Sequence, residues 1–446
     1  MNVSSDISPA RREAVRQLDR VEDDAAYVGH MDDANGLDER DRRQVRDYVA
    51  GVTRWRRWLD FIVADFYNGD YDEMEPRLRQ ILRLGLYDLL MQDTPPHAAI
   101  YENVELAKQL IRPGAGRLAN GILRAIDRAD TLPAPATGDR AEDLAIRHSH
   151  PTWMVRRWLD RFGTGDTEAL LRWNNRRPHY GLRVNTDRQS VNAFQALLDE
   201  HNIEWAASPY LDDVLRVQRL QTVLQNGWLD DGRCAVQDES AALLVQLLDP
   251  QPGETIVDAC AAPGGKTLYT AQRVGPQGHV HAVDVHANRL ELVREAAEAH
   301  GLAGRVRTTA GDLRELAERP NRPRADRVLV DAPCSGLGVL AKRADLRWQR
   351  APADLRELTQ LQDELLDAAA ACLRPGGLLV YSTCTIAPEE NQARAEAFLD
   401  RHDAFSIEPA EGTVPTALTT PSGAYATLPH RDGIDGAFGV RLRRSA

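Results

Sequence analysis

The sequence predicts a multidomain chain: an all-α N-terminal domain, a small α+β middle segment, and a C-terminal α/β domain with a Rossmann-like, doubly wound sheet. Three observations carry this. The 446 residues exceed one ordinary domain. From residue 8 to about 130, apolar residues recur at mixed three- and four-residue steps, with no strand-like alternation. From about residue 231, short apolar runs alternate with helical stretches, the rhythm of a parallel sheet covered on both faces.

The helical part opens at SPARREAVRQL, where Ser8 is a candidate N-cap and Pro9 holds the first helical position. RLRQILRLGLYDLL (77–90), AAIYENVELAKQLI (98–111) and GRLANGILRAIDR (116–128) continue it. The Pro- and Ala-rich TLPAPATGDR (131–140) suits a linker. The expected division is therefore 1–130 helical, 131–144 linker, 145–230 middle segment and 231–446 α/β domain. Within the middle segment, 147–188 holds nine arginines against four acids, interleaved with Trp153, Trp158, Trp173 and Tyr180. That composition fits a surface gripping single-stranded nucleic acid by charge and stacking. It equally fits an arginine-decorated helix with tryptophans in its core, and composition alone leans to the second.

Composition narrows the classes. No apolar run is long enough to span a bilayer. The start, MNVSSDISPARREAVRQ, lacks the basic-then-apolar order of a secretory signal, so a cytoplasmic location is expected. Five widely spaced cysteines (Cys234, Cys260, Cys334, Cys372, Cys384) without a CxxC pair argue against a disulfide framework or zinc site. A net charge of −12 disfavours polyanion binding by the whole molecule and leaves room for a local basic face. Only three lysines occur (Lys108, Lys266, Lys342), so arginine supplies nearly all the positive charge.

The α/β strands read as TIVDACA, HVHAVDV, RVRTTAG, DRVLVDAP and GLLVYSTC. In such sheets ligands bind beyond the carboxyl ends of the strands. The first ends in DACAAPGGKT (258–267), where Gly264 and Gly265 let backbone N–H groups approach a ligand. This is not a P-loop, because Cys260 stands where that motif needs its first glycine, nor is it GxGxxG. The second strand ends at Asp284, suited to ribose hydroxyls; the third at Asp312, suited to an adenine amino group; the fourth at Asp331. One strand-end Asp is often only a helix cap, but four acids in order point to an adenosine-containing ligand without a pyrophosphate, S-adenosylmethionine.

VDAPCSGLG (330–338) and VYSTCTIAPEEN (380–391) each deliver a cysteine just past an apolar run. A redox pair, metal ligands, packing residues and two parts of one catalytic site all fit that placement, and spacing leaves the thiols equivalent.

DACAAPGGKT, DVHANRL, DAPCSGLG and YSTCTIAPEEN resemble, in order and spacing, the signature blocks of the RNA cytosine-C5 methyltransferases. VQDESAALL (236–244) resembles the block before them and GIDGAFGVRLRR (433–444) the closing strand pair. The nearest likeness is the RsmB (Fmu/Sun) group, which acts on small-subunit ribosomal RNA and carries a NusB-like helical RNA-binding domain. RDRRQVRDYVAGVTRWRRWLD (40–60), LRQILRLGLYDLL and NGILR resemble that domain; HSHPTWMVRRWLDRFG and GLRVNT resemble its RNA-facing connecting segment. The resemblance makes the arginine–aromatic segment RNA-facing. One departure is Ala437-Phe438, where relatives commonly show paired phenylalanines.

The resemblance implies S-adenosylmethionine-dependent C5 methylation of a specific cytidine in 16S ribosomal RNA, single-stranded or locally opened. It implies that Cys384 attacks C6 of the base, that Cys334 assists release, and that Asp331 serves the N3 edge of the ring. Lys266 is expected to hold the site through Asp331 or the cofactor's carboxylate. The cofactor would be held by Cys260, Ala261, Ala262, Pro263, Gly264, Gly265, Lys266, Asp284, Asp312 and Asp331. Cys234 and Cys372 are read as packing. A monomer without metal or membrane attachment is expected. Other readings are an antitermination-like RNA-binding factor without turnover, an enzyme for another RNA, and a DNA cytosine methyltransferase; the Thr-Cys block and the NusB-like segments oppose the last.

Overall fold

The computed structural model describes residues 7–23 and 36–446; residues 1–6, part of the stretch read against a secretory signal, lie outside them. The chain forms two compact units, residues 1–176 with 340–350, and residues 177–339 with 351–446.

The first unit is helical: α1 (Pro9–Asp23), α2 (Glu39–Phe66), α3 (Pro76–Met91), α4 (Pro96–Leu110), α5 (Pro113–Asp127), α6 (Arg140–Arg147) and α7 (Thr152–Asn174). Proline stands in the first turn of α3, α4 and α5, where its missing N–H has no intrahelical partner to lose. Side chains of Asp38 and Asp139 cap α2 and α6. Val49, Ile62, Ile81, Leu84, Leu106 and Leu123 are fully buried in one core. Within it, Asp88 on α3 accepts from Arg11 Nε of α1 at 3.0 Å and from the Tyr48 hydroxyl of α2 at 2.9 Å, so the buried carboxylate is paired and hydrogen-bonded.

Residues 340–350 belong to this helical unit although the sequence places them inside the α/β part. Arg347, with no exposed surface, donates to Ser149 O at 3.0 Å, Asn174 O at 3.1 Å and Asn175 Oδ1 at 2.8 Å. Trp348 donates its indole N–H to Thr53 O at 2.7 Å.

The second unit holds two sheets. The small one has β1 (Tyr180–Val184), β2 (Trp205–Ala207), β3 (Val214–Val217) and β4 (Cys234–Val236), all antiparallel, in order β2-β3-β1-β4. The helix Val191–Glu200 contributes Phe194, which meets Trp228 edge-on at 5.6 Å.

The large sheet contains β5 (Thr255–Asp258), β6 (His279–Asp284), β7 (Val306–Ala310), β8 (Ala325–Asp331), β9 (Leu373–Thr383), β10 (Phe405–Glu408), β11 (Tyr425–Ala426) and β12 (Phe438–Arg444). Its order is β10-β12-β9-β8-β5-β6-β7, with β11 pairing β12. The five apolar runs read from the sequence are β5 to β9, mutually parallel and, in β8 and β9, nearly continuously buried, as strands covered on both faces must be. The sheet is mixed, because β12 and β10 add an antiparallel edge beyond β9. Residues 433–444 thus supply a single strand, β12, rather than a strand pair. Strand order reverses between β5 and β8, which opens the ligand crevice of such sheets between their carboxyl ends. Among the described residues no helix is long and apolar enough to cross a membrane.

Candidate active site

The turn after β5 is built for close approach. Gly264 adopts φ +107°, where a side chain would be strained and a Cβ would press Val293 at 3.2 Å. The helix Gly265–Arg273 starts there. Ala262 N donates to Asp284 Oδ2 at 3.1 Å, and Arg289 donates to Ala262 O at 2.9 Å, so the ends of β5 and β6 brace one another. Asp258, fully buried at the end of β5, accepts from the Thr267 hydroxyl at 2.7 Å, while its Oδ1 has no partner. Burial, with the nearby Asp331 charge and despite that hydrogen bond, raises its carboxyl to about 6. Burial, and then Asp331, also pushes the half-buried Cys260 thiol up, which keeps it protonated and unreactive.

The parallel register of β8 and β9 brings the two cysteine blocks together. Asp331 pairs with Ser382, so the loops leaving both strands emerge side by side. Cys334 Sγ and Cys384 Sγ lie 3.4 Å apart. Asp331 accepts from Lys266 Nζ at 2.7 Å and from the Ser382 hydroxyl at 3.0 Å. The hydrogen bond shared with Cys334 lowers the Cys384 thiol; partial desolvation of its sulfur, in a residue that is exposed as a whole, opposes the shift together with Asp331 and Asp435, and Lys266 supports it. The same bond, together with burial and the charges of Cys384 and Glu390, raises Cys334. One thiol is thereby set toward thiolate and its neighbour toward donor. Burial works against the Lys266 charge, but Asp331 outweighs it and holds the ammonium protonated.

Three loops meet here backbone to backbone. Gly338 N donates to Cys384 O at 3.1 Å, and Gly436 N donates to Gly338 O at 2.8 Å. A Cβ on Gly338 would lie 2.2 Å from Gly436 O and 2.8 Å from Cys384 O. Sequence reading did not single out Gly338, Gly436, Ser382, or Glu390, and gave Asp258 no role of its own. The Gly-Leu-Gly after Cys334 and the Asp-Gly before Ala437 were the available signals for the two glycines.

Other expected residues have mixed placements. Asp312 caps the helix Leu313–Glu318 through Arg314 N at 2.9 Å and pairs with the Arg314 side chain, the capping role of a strand-end Asp. Cys234 and Cys372 are fully buried, and burial raises both thiols, Cys234 to about 12. In the arginine–aromatic segment, Trp158 is core, edge-on to His150, whereas Arg156, Arg161, Arg172 and Arg176 are exposed. Arg176 lies over the half-buried Trp173 ring at 5.2 Å. Arg183, counted in the same run, is internal: it donates to Gln237 at 2.7 Å and Gln272 at 2.9 Å and lies 4.4 Å from the Tyr269 ring centroid. Among the described residues no group of three or more His, Cys, Asp or Glu is arranged to hold a metal ion.

Comparison with known proteins gives three family matches: 16S rRNA methyltransferase RsmB/F over residues 245–443, the NusB family over 8–128, and the RsmF/B-like ferredoxin-like domain over 150–224. A probable ribosomal RNA small subunit methyltransferase B of Synechocystis is 37% identical over 91% of this chain and 92% of its own. Its Bacillus subtilis counterpart is 32% identical over 97% and 98%. A third, from Erwinia tasmaniensis, is 35% identical over 91% of both chains. Among solved structures, PH0851 superposes with a TM-score of 0.82 at 26% identity, covering both chains fully. A methyltransferase homologue from Pyrococcus horikoshii gives 0.59 at 26%, covering 70% of this chain and all of its own.

Proposed function

Because the chain belongs to the 16S rRNA methyltransferase RsmB/F family, we propose that it methylates C5 of a specific cytidine in small-subunit ribosomal RNA, with S-adenosylmethionine as donor. The observation that carries the reading is the pair of thiols 3.4 Å apart, the Cys384 thiol lowered and the Cys334 thiol raised by their shared hydrogen bond, beside a Lys266–Asp331 ion pair.

C5 of cytosine is a poor nucleophile until a thiolate adds to C6 and makes the ring enamine-like. Cys384, exposed and tuned toward thiolate, is the attacker. Asp331, held by Lys266 and Ser382, assists addition at the N3 edge by hydrogen bonding or proton donation. Release requires a base to take the C5 proton. The C–H electron pair then forms the C5=C6 double bond, and the C6–S pair leaves on Cys384. Cys334 is the group placed to take that proton. Once Cys384 is bound to the base, it no longer offers Cys334 a thiolate to donate to, and Cys334 becomes free to ionise.

The turn fits the donor. Gly264 takes the positive φ that the tight turn requires, Asp258 Oδ1 is a buried oxygen without a partner, and Asp284 closes β6. Cys260 to Lys266, Asp284, Asp331 and, sharing its carboxylate with Arg314, Asp312 would hold it. When bound, S-adenosylmethionine supplies an electrophilic methyl group. The target base must leave its stack, so the RNA is single-stranded or locally opened, and the exposed arginines and Trp173 of α7 suit such a strand. Nucleotide-resolution mapping of 5-methylcytidine in ribosomal RNA, with and without this protein, tests the reading. One cytidine should lose its mark in the absence of the protein, and an unchanged map overturns it.

A further inference from the structure

Glu390 is fully buried, yet among the described residues no cation pairs with it. Its carboxylate accepts from Ser335 N at 2.8 Å, from the Ser335 hydroxyl, and from Gln362 Nε2 at 3.1 Å. These donors are neutral, an expensive way to bury a carboxylate if it served stability alone. The donors identify what it holds. Ser335 follows Cys334 directly, and its hydroxyl also meets Thr385 Oγ1 at 2.8 Å, next to Cys384. Gln362 donates to Pro333 O at 2.9 Å, on the other side of Cys334. The backbone of Glu390 is itself fixed, its carbonyl accepting from the Tyr381 hydroxyl at 2.6 Å. Its neighbour Asn391 donates to Thr385 O at 2.9 Å and accepts from Thr383 Oγ1 at 2.6 Å. Both cysteine loops thus hang on the short 3-10 turn Pro388–Glu390 and the residue after it.

We propose that Glu390 is a positioning residue for product release, fixing the Pro333–Ser335 loop, and with it the Cys334 sulfur, against the Cys384 loop. The inference rests on the thiol roles proposed above. It also has an electrostatic side. Among the described residues, the titratable groups facing Cys334 include Cys384, Glu390 and Tyr381; Lys266, Asp331 and Asp435 act on Cys384. When Cys384 is consumed in the adduct, Glu390 is the carboxylate left raising Cys334, which makes its thiolate a stronger base for the C5 proton.

The test is rapid-quench measurement of denaturation-resistant protein–RNA adduct against pH in the full chain with S-adenosylmethionine and ribosomal RNA. E390Q should form adduct at a near-normal rate and release it about tenfold more slowly, as misplacement of a reacting group does. The pH midpoint of adduct decay should move down, because a negative neighbour of Cys334 is gone. An unmoved or raised midpoint, or equal loss of adduct formation and decay, overturns the proposal. Should E390Q fail to fold, S335A deletes the hydroxyl's links to Glu390 and Thr385 while keeping the backbone link to Glu390, and should raise adduct roughly threefold with cofactor binding unchanged; no rise overturns the proposal. C384A and C334A run in parallel separate the two levels. Adduct from C384A, or none from C334A, defeats the assignment of thiol roles, whereas no adduct from C384A and trapped adduct from C334A with an unmoved E390Q defeats only the role of Glu390.

Discussion

Cys334 and Cys384, fifty residues apart in the chain, are brought to a sulfur–sulfur distance of 3.4 Å by the pairing of Asp331 with Ser382 across β8 and β9. Their different hydrogen-bond roles give a direct prediction. Cys384→Ala should abolish turnover and covalent capture of RNA. Cys334→Ala should lose turnover yet accumulate a denaturation-resistant adduct on a gel. The reverse pattern would exchange the two roles.

Lys266 favours the Cys384 thiolate, so replacing it moves the attack to higher pH. Lys266→Met removes a positive charge and leaves Asp331 unneutralised, and both changes raise the Cys384 thiol. Adduct formation at neutral pH should fall by about tenfold to a hundredfold. Its pH midpoint should rise, as read by single-turnover capture; an unchanged midpoint would mean that Lys266 acts elsewhere.

Asp258 gives a pH dependence of stability with a defined sign. Its carboxyl titrates at about 6 in the folded chain against an ordinary 3.8. Above pH 6 both states are ionised, and the folded state carries the whole burial penalty. As pH falls from 6 toward 4 the folded state binds its proton first, and the penalty disappears. Asp258→Asn should therefore raise the cofactor-free melting temperature at pH 7.5, by the equivalent of roughly 1 to 3 kcal/mol, with little effect at pH 4.5. Equal shifts at both pH values would contradict it.

Gly338 and Gly121 should respond oppositely to the same substitution. Gly338→Ala forces a Cβ onto two carbonyl oxygens and should cost about 1 to 3 kcal/mol or more, with loss of adduct formation. Gly121, mid-helix in α5, has open space where its Cβ would go, so Gly121→Ala should stabilise by roughly 1 kcal/mol with normal activity. Denaturant melts with an adduct gel check both.

Strands β5, β6, β8 and β9 were legible because buried parallel strands read as apolar runs, three of them stopped by Asp258, Asp284 and Asp331. Strand β7, at the sheet edge and largely exposed, was legible from its β-branched residues and the Gly311–Asp312 turn after it. The Gly264–Gly265 turn was legible because its residues are contiguous. The relation between the two cysteines was not, since it depends on which strands are neighbours and in what register, information carried by no local pattern. Glu390 was invisible on the same grounds, as its donors lie 28 and 55 residues away. Arginine content misled at Arg183, because a guanidinium stacked on Tyr269 and bonded to two glutamines is as comfortable inside as out.

Residues 340–350 leave the catalytic half of the sequence to complete the helical half, with Arg347 and Trp348 as internal parts of a unit encoded two hundred residues upstream. A cut at the proline-rich linker does not yield two cassettes. It leaves the Thr53 and Arg54 carbonyls without the Trp348 indole and the Arg347 guanidinium that meet them, while Arg347 keeps its bonds to Ser149, Asn174 and Asn175 on its own side of the cut. A division that respects the helical unit has to carry residues 340–350 together with those up to 176, two stretches far apart in the chain.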